Sequence, residues 1–353
     1  MKDSFDLNKL VRENVRGLKP YSSARDEYVS DGSKMVFLDA NESPFENGVN
    51  RYPDPQQRGL KSVLADQKGV TVPQILLGNG SDEVLDLLFR AFCEPNVDNI
   101  ITLPPTYGMY KVLAGINNVE NREVLLTRGF EPDVEAVLKT VDAHSKIIFL
   151  CSPNNPTGNS FSSSYVRRLL ENFKGLVVID EAYIDFSDEI SWITQLKNYP
   201  NLVVTQTLSK AYGLAGIRLG CCYASVEVIG ILNKIKPPYN VNGPTQQRAL
   251  ERILDVNTVN LEILDILTQR AVLINTLEQM DFVEKIFPTN ANFVLAKVDD
   301  ANKRYAQLLE KGVVVRNRTT QPLCENTLRF TVGTKEENQQ LAKALAELNH
   351  IGN

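Results

Sequence analysis

The stretch Thr207-Leu208-Ser209-Lys210-Ala211-Tyr212-Gly213-Leu214-Ala215-Gly216-Ile217-Arg218 sets a lysine just beyond the apolar run Leu202-Val203-Val204, which reads as a buried strand. An unpaired ammonium is costly at the mouth of such a strand. Chemistry that needs an amine, such as a Schiff base with a carbonyl cofactor, is one reason to place it there. An ordinary exposed loop lysine is the other reading. Two further polar residues share this placement. Asn155 follows the apolar run 146–151, inside the stiff loop Ser152-Pro153-Asn154-Asn155-Pro156-Thr157-Gly158. Asp180 follows the run 176–179 and opens Asp180-Glu181-Ala182-Tyr183. Open parallel sheets bind ligands beyond the carboxyl ends of their strands. Asn155, Asp180 and Lys210 therefore point to one site.

The chemistry of such a site can be assembled from its parts. An aspartate at a strand end with no basic neighbour in sequence invites a cationic partner. A protonated pyridinium nitrogen is one, and keeping it protonated lets pyridoxal phosphate act as an electron sink. Asn155 and Tyr183 are placed to bond a ring oxygen. Arg218, Thr207, Ser209 and a helix start near Ser81 would gather a phosphate through charge-assisted bonds. Lys210 would carry the Schiff base and then shuttle a proton.

The elements that must position these residues alternate between strand and helix from about residue 75 to 225, which predicts a doubly wound, mostly parallel sheet. A short strand is expected at 35–38, before the turn Asp39-Ala40-Asn41-Glu42-Ser43-Pro44. Gly78-Asn79-Gly80-Ser81-Asp82-Glu83 leads into an apolar-faced helix with Ser81 or Asp82 as N-cap; without a following Gly-Lys-Ser/Thr it is no nucleoside-triphosphate loop. Tyr107 sits past the strand 99–103, where its ring could stack on a flat ligand. A linking helix over 246–280 leaves a large domain of residues 35–245. It enters a smaller α+β domain, 246–353, with strands at 293–296, 313–315 and 328–332. Residues 1–34 form an arm, in part an amphipathic helix, that must lie on the small domain or on a partner subunit.

Composition narrows the function classes. The chain has 353 residues, 43% hydrophobic and 23% charged, with a net charge of −5. That balance suits a globular protein and argues against nucleic-acid or anionic-membrane partners. No window approaches the ~20 apolar residues of a membrane span, and the charged residues 1–10 do not read as a signal peptide. The five cysteines lack metal-ligand spacing and read as free thiols of a reducing cytoplasm. With only His144 and His350, neither an imidazole metal site nor a Ser-His-Asp triad is expected.

The motifs at 152–158, 180–183 and 207–218 resemble, in order and spacing, those of the fold-type I pyridoxal-phosphate aminotransferases, and the likeness runs through nearly the whole chain. Within that superfamily the chain resembles the histidinol-phosphate aminotransferases. The carrying motifs are Leu18-Lys19-Pro20-Tyr21-Ser22-Ser23-Ala24-Arg25, Asp39-Ala40-Asn41-Glu42, Arg51-Tyr52-Pro53, the glycine turn at 78–83, Pro104-Pro105-Thr106-Tyr107-Gly108-Met109-Tyr110 and Leu328-Arg329-Phe330-Thr331-Val332-Gly333-Thr334. The resemblance implies Lys210 as the Schiff-base lysine and Asp180 as partner of the pyridine nitrogen. Asn155 and Tyr183 would contact the ring hydroxyl, with Tyr107 stacked on the ring. Ser81, Asp82, Thr207, Ser209 and Arg218 would hold the cofactor phosphate. Tyr52 would reach across a homodimer interface to the partner's cofactor. Arg329 would grip the substrate anion, helped by Tyr21 and by Arg316 or Arg318; Arg316 is preferred because it directly follows the predicted strand. The implied reaction transfers an amino group between L-histidinol phosphate and 2-oxoglutarate, giving glutamate, in the cytoplasm. An aromatic amino-acid aminotransferase or a threonine-phosphate decarboxylase on the same fold are the alternatives.

Overall fold

The computed structural model describes residues 5–20 and 35–349. Among them the strands form two sheets. The larger contains β1 (Ile75–Asn79), β2 (Asn99–Thr102), β3 (Glu120–Glu123), β4 (Ser145–Cys151), β5 (Leu176–Asp180), β6 (Leu202–Thr207) and β7 (Leu219–Ala224), in the order β1-β7-β6-β5-β4-β2-β3. Neighbours from β3 to β6 are parallel, while β7 runs antiparallel to both β6 and β1. The residues of β5, β6 and β7 are buried throughout, as expected where helices cover both faces of a sheet. Leu176, Val177, Val178 and Ile179 alternate between two apolar cores, one on each face.

The smaller sheet is antiparallel, with β8 (Val283–Ile286), β9 (Phe293–Val298), β10 (Arg316–Asn317) and β11 (Thr327–Thr331) in the order β10-β11-β9-β8. It packs with the helices Val256–Glu278 and Lys335–Asn349 around its own core, which includes Leu277, Val294, Phe330 and Leu345.

Four local expectations need correction. Residues 35–38 are not a strand: Val36 and Leu38 are exposed, so the run lacks the burial that a short apolar strand needs. The helix Ser81–Phe92 is capped by Gly80, at φ +78, rather than by Ser81 or Asp82, which lie in its first turn. The linking helix is two helices, Gly243–Leu254 and Val256–Glu278. They break at Asp255, whose non-helical backbone lets its carboxylate accept from the Thr258 N–H and start the second helix. Residues 313–315 are likewise no strand; Arg316 begins β10 instead of following a strand. Among the described residues no helix is long and apolar enough to cross a membrane. All five cysteines are buried free thiols.

Candidate active site

The carboxyl ends of β4, β5 and β6 meet at one edge of the large sheet. Cys151 pairs with Asp180, and Asp180 with Thr205, so register alone brings the following loops together. They line a cavity of about 130 Å³ with Ser81, Asp82, Tyr107, Asn155, Asp180, Tyr183, Thr207, Ser209, Lys210 and Arg218. Ten predicted site residues thus share one space.

Asp180 ends β5 and is 3% exposed. Its Oδ2 accepts from the Tyr110 hydroxyl at 2.8 Å and its Oδ1 from the Ala182 N–H at 3.2 Å. Burial pushes its pKa up to about 6, against the pull of these two donors. Lys210 stands open to the cavity, with its amine 5.7 Å from the centre of the Tyr183 ring. Partial desolvation first, then the positive charge of Arg329, lowers this amine below the ordinary lysine range. A group so biased is more readily a free amine, the form that attacks a carbonyl.

At the other end of the cavity, hydroxyls and a guanidinium converge. The Thr207 hydroxyl donates to Ser209 Oγ at 3.0 Å and receives the Ser209 N–H at 3.2 Å. Arg218 Nη2 lies 3.5 Å from Asp82 Oδ2, and Asp82 Oδ1 accepts from the Tyr107 hydroxyl at 3.0 Å. Glycine is required twice here. A Cβ on Gly80 would stand 2.8 Å from the Arg218 guanidinium, and one on Gly220 would stand 2.2 Å from the Ser81 nitrogen. The helix start and the arginine can therefore close on a single anion.

Tyr183 meets Phe293 edge-on at 5.2 Å, and the Arg329 guanidinium lies 5.0 Å over the same Phe293 ring. Arg329 also donates to Asn155 Oδ1, joining β11 to the loop after β4. Arg316 pairs with Arg329 in the sheet register but is exposed. Arg318 is half-buried, with an Nε atom that is buried and without a partner among the described residues. Burial, then Arg329 and Arg316, lower its pKa to about 10. Tyr52 is not in this cavity. It is exposed, stacked at 4.5 Å on Tyr239, and its backbone N–H donates to Glu42. Tyr21 lies outside the described residues.

Two contributors carried no local sequence signal. Tyr110 supplies a hydrogen bond to Asp180 from 70 positions away. Asn154, fully buried, donates to the Pro105 carbonyl at 2.8 Å and accepts from Thr106 at 3.0 Å, clamping the Asn155 loop to the Tyr107 loop. An asparagine beside another in a proline-rich loop gives no sign of which one faces inward.

These groups fit pyridoxal phosphate. A buried carboxylate served by neutral donors suits a cationic ring nitrogen, an amine of lowered pKa suits the carbonyl carbon, and Arg218 beside a helix start suits the phosphate. Fold and site define a pyridoxal-phosphate-dependent transferase. The sequence profile of the family "Aminotransferase class I and II" matches residues 34–345. The histidinol-phosphate aminotransferase of Flavobacterium johnsoniae is 69% identical over 98% of this chain and 100% of its own length. Among solved structures, the histidinol-phosphate aminotransferase of Clostridium acetobutylicum superposes with a TM-score of 0.80 at 24% identity, covering 86% of this chain and 92% of that one. That of Sinorhizobium meliloti, in complex with pyridoxal-5'-phosphate, gives 0.79 at 23% identity, covering 85% and 83%. The chain belongs to the class I and II aminotransferases, and within them to the histidinol-phosphate aminotransferases. Its cofactor is pyridoxal 5'-phosphate.

Proposed function

We propose that the chain moves the amino group of L-histidinol phosphate to 2-oxoglutarate, yielding imidazole acetol phosphate and L-glutamate, a step of histidine biosynthesis. Bound pyridoxal phosphate supplies a carbonyl carbon that takes up the amino group and a ring that accepts electron density. Lys210 Nζ binds the cofactor and then takes and returns the substrate Cα proton. Asp180 holds the ring nitrogen protonated from the floor of the cavity. Asn155 and Tyr183 bond the ring oxygen, and Tyr107 covers a ring face. Ser81, Asp82, Thr207, Ser209 and Arg218 fix the phosphate through hydroxyls, backbone N–H groups and the guanidinium.

The substrate anion goes to Arg329, with Arg318 and Arg316 beside it. Planar guanidinium groups accept a phosphate in one half-reaction and a carboxylate in the other. This lets one site serve a donor without a carboxylate and an acceptor with two. Tyr52 and the exposed apolar residues near it, Phe45 and Val49, suit a homodimer in which Tyr52 reaches the partner's cofactor phosphate. The domain division at about residue 245 and a cytoplasmic location complete the reading, the latter supported by the free thiols.

The observation that carries the proposal is the meeting of Lys210, Asp180, Asn155 and Arg218 in one cavity, with Arg329 bonded to Asn155 at its side. The test is a panel of amino donors assayed with 2-oxoglutarate, alongside Lys210→Ala. Histidinol phosphate should be the preferred donor. The variant should lose turnover and the visible absorbance of bound cofactor while melting close to wild type. Preference for phenylalanine, or release of CO2, would replace the proposal with one of the alternative reactions.

A further inference from the structure

Tyr110 is fully buried, yet it carries a hydroxyl. Its ring lies 4.8 Å from Phe149 at 14°, and Phe149 stacks in turn on Phe89 at 5.4 Å and 18°. Tyr107 meets it edge-on at 5.6 Å. Those neighbours are apolar at their faces; the hydroxyl donates to Asp180 Oδ2 at 2.8 Å, with the Cys151 thiol also beside it. Burial, then the Asp180 charge, holds the phenol well above its ordinary pKa, so it stays protonated and is the donor of this bond. Phenylalanine would fill the same aromatic column without burying a polar atom. A hydroxyl kept at this depth against the cost of desolvation has Asp180 as its object.

We propose that Tyr110 is a positioning residue: its hydroxyl fixes Asp180 as an oriented carboxylate, and through Asp180 it keeps the cofactor's ring nitrogen protonated. The inference rests on the reading of Asp180 as partner of that nitrogen. Two consequences of the geometry support it. The bond occupies Oδ2 and, with Ala182 on Oδ1, fixes the plane of the carboxyl group. It also opposes the effect of burial, which would otherwise push Asp180 toward the neutral acid, a form with no charge to offer a cation. Tyr107 ends the loop that precedes the helix Met109–Ile116, and Tyr110 lies in its first turn. One junction thus presents a ring to the cavity and props the carboxylate beneath it.

The experiment compares holoenzyme of wild type, Tyr110→Phe, Asp180→Asn and the double variant. A hydrogen bond to a charged group is worth roughly a tenfold to hundredfold change in an equilibrium. Tyr110→Phe should lower kcat about tenfold and leave KM for the amino donor within about twofold. It should weaken cofactor retention about tenfold and shift the pH midpoint of the bound cofactor's visible spectrum. Adding Tyr110→Phe to Asp180→Asn should change none of these further, because the hydroxyl acts through the carboxylate. A Tyr110→Phe protein with wild-type cofactor affinity and spectral titration overturns the inference, even if it melts lower, since packing alone would then explain Tyr110. Asp180→Asn with wild-type affinity and titration would overturn the reading of Asp180, and the inference with it. Effects of Asp180→Asn unmatched by Tyr110→Phe overturn the Tyr110 inference alone.

Discussion

Asp180 makes the cofactor-free protein less stable at neutral pH than it need be. Burial pushes its pKa from 3.8 up to about 6. A carboxyl group whose folded value exceeds its unfolded value binds its proton more tightly in the folded chain. The resulting stability is fully present below the unfolded value of 3.8 and is lost as pH rises through about 6. That difference corresponds to about 3 kcal/mol. Asp180→Asn keeps an oxygen for the Tyr110 hydroxyl and removes the charge. At about pH 8 the cofactor-free variant should therefore be more stable than cofactor-free wild type by up to about 3 kcal/mol. For a chain of this length that is roughly 4 °C in melting temperature. By about pH 5 the lead should shrink to about half. Glu181, pushed up to about 6 by burial, tilts the wild type and the variant alike and cancels in the comparison. Calorimetry of the two apoproteins across this range is the assay. Saturating cofactor should reverse the order, because only the wild type then pairs its carboxylate with a ring cation. Parallel melting curves for the two apoproteins at every pH would refute the argument: Asp180 would then not be a desolvated carboxylate in the empty site.

Two further substitutions probe the anion sites. Gly80→Ala places a Cβ 2.8 Å from the Arg218 guanidinium on a backbone at φ +78; cofactor affinity should fall by about tenfold and stability by about 1 kcal/mol. Fluorescence titration of the apoprotein reads the first, and unchanged affinity would remove Arg218 from the phosphate site. Arg318→Ala should raise KM for the phosphorylated donor by more than about tenfold, the scale of a lost charge-assisted bond. Arg316→Ala should raise it only a few-fold, since Arg316 is exposed; the reverse order would put the substrate anion on Arg316.

The strand ends were legible because parallel strands buried on both faces become long apolar runs, and a polar residue closing such a run stands out. Asn155, Asp180 and Lys210 stand out in this way and line one cavity, and their motifs carry the family. The run at 35–38 has the same apolar look but no sheet to receive it; four residues are too few for composition to tell a strand from an exposed segment. Side-chain cap preference points to Ser81 or Asp82, whereas the turn needs a positive φ and places Gly80 at the cap. The preference for Arg316 rests on a strand at 313–315 that the structure lacks. The true strand, β10, is two residues long and starts at Arg316, so Arg318 follows it. The role of Tyr110 has no local signature, since Tyr110 lies in the helix Met109–Ile116, its partner ends β5, and only tertiary packing brings them together.

Four ionisable groups here, Asp180, Lys210, Arg318 and Arg329, are shifted toward their neutral forms, and in complementary ways. Asp180 is held toward its neutral form by burial, and Lys210 toward its neutral form by desolvation and Arg329. Arg318 and Arg329 are both depressed, first by burial; Arg329 and Arg316 then lower Arg318 further, and Arg316 lowers Arg329. A structural ion-pair network would have matched these charges internally. Instead the carboxylate calls for a cation, the amine for a carbonyl carbon, and the arginines for anions. Pyridoxal phosphate answers the first two, and an anionic substrate answers the third. On the proposed function each half-reaction brings its own anion to Arg329 and Arg318, so the same unfavourable crowding of guanidinium groups would be relieved whether the guest is a phosphate or a carboxylate. Substrate choice between the two should then depend less on the arginines than on the residues that set the distance from them to Lys210. Asn155 is the first of these, because its Oδ1 holds Arg329 in place from the loop that borders the cofactor cavity.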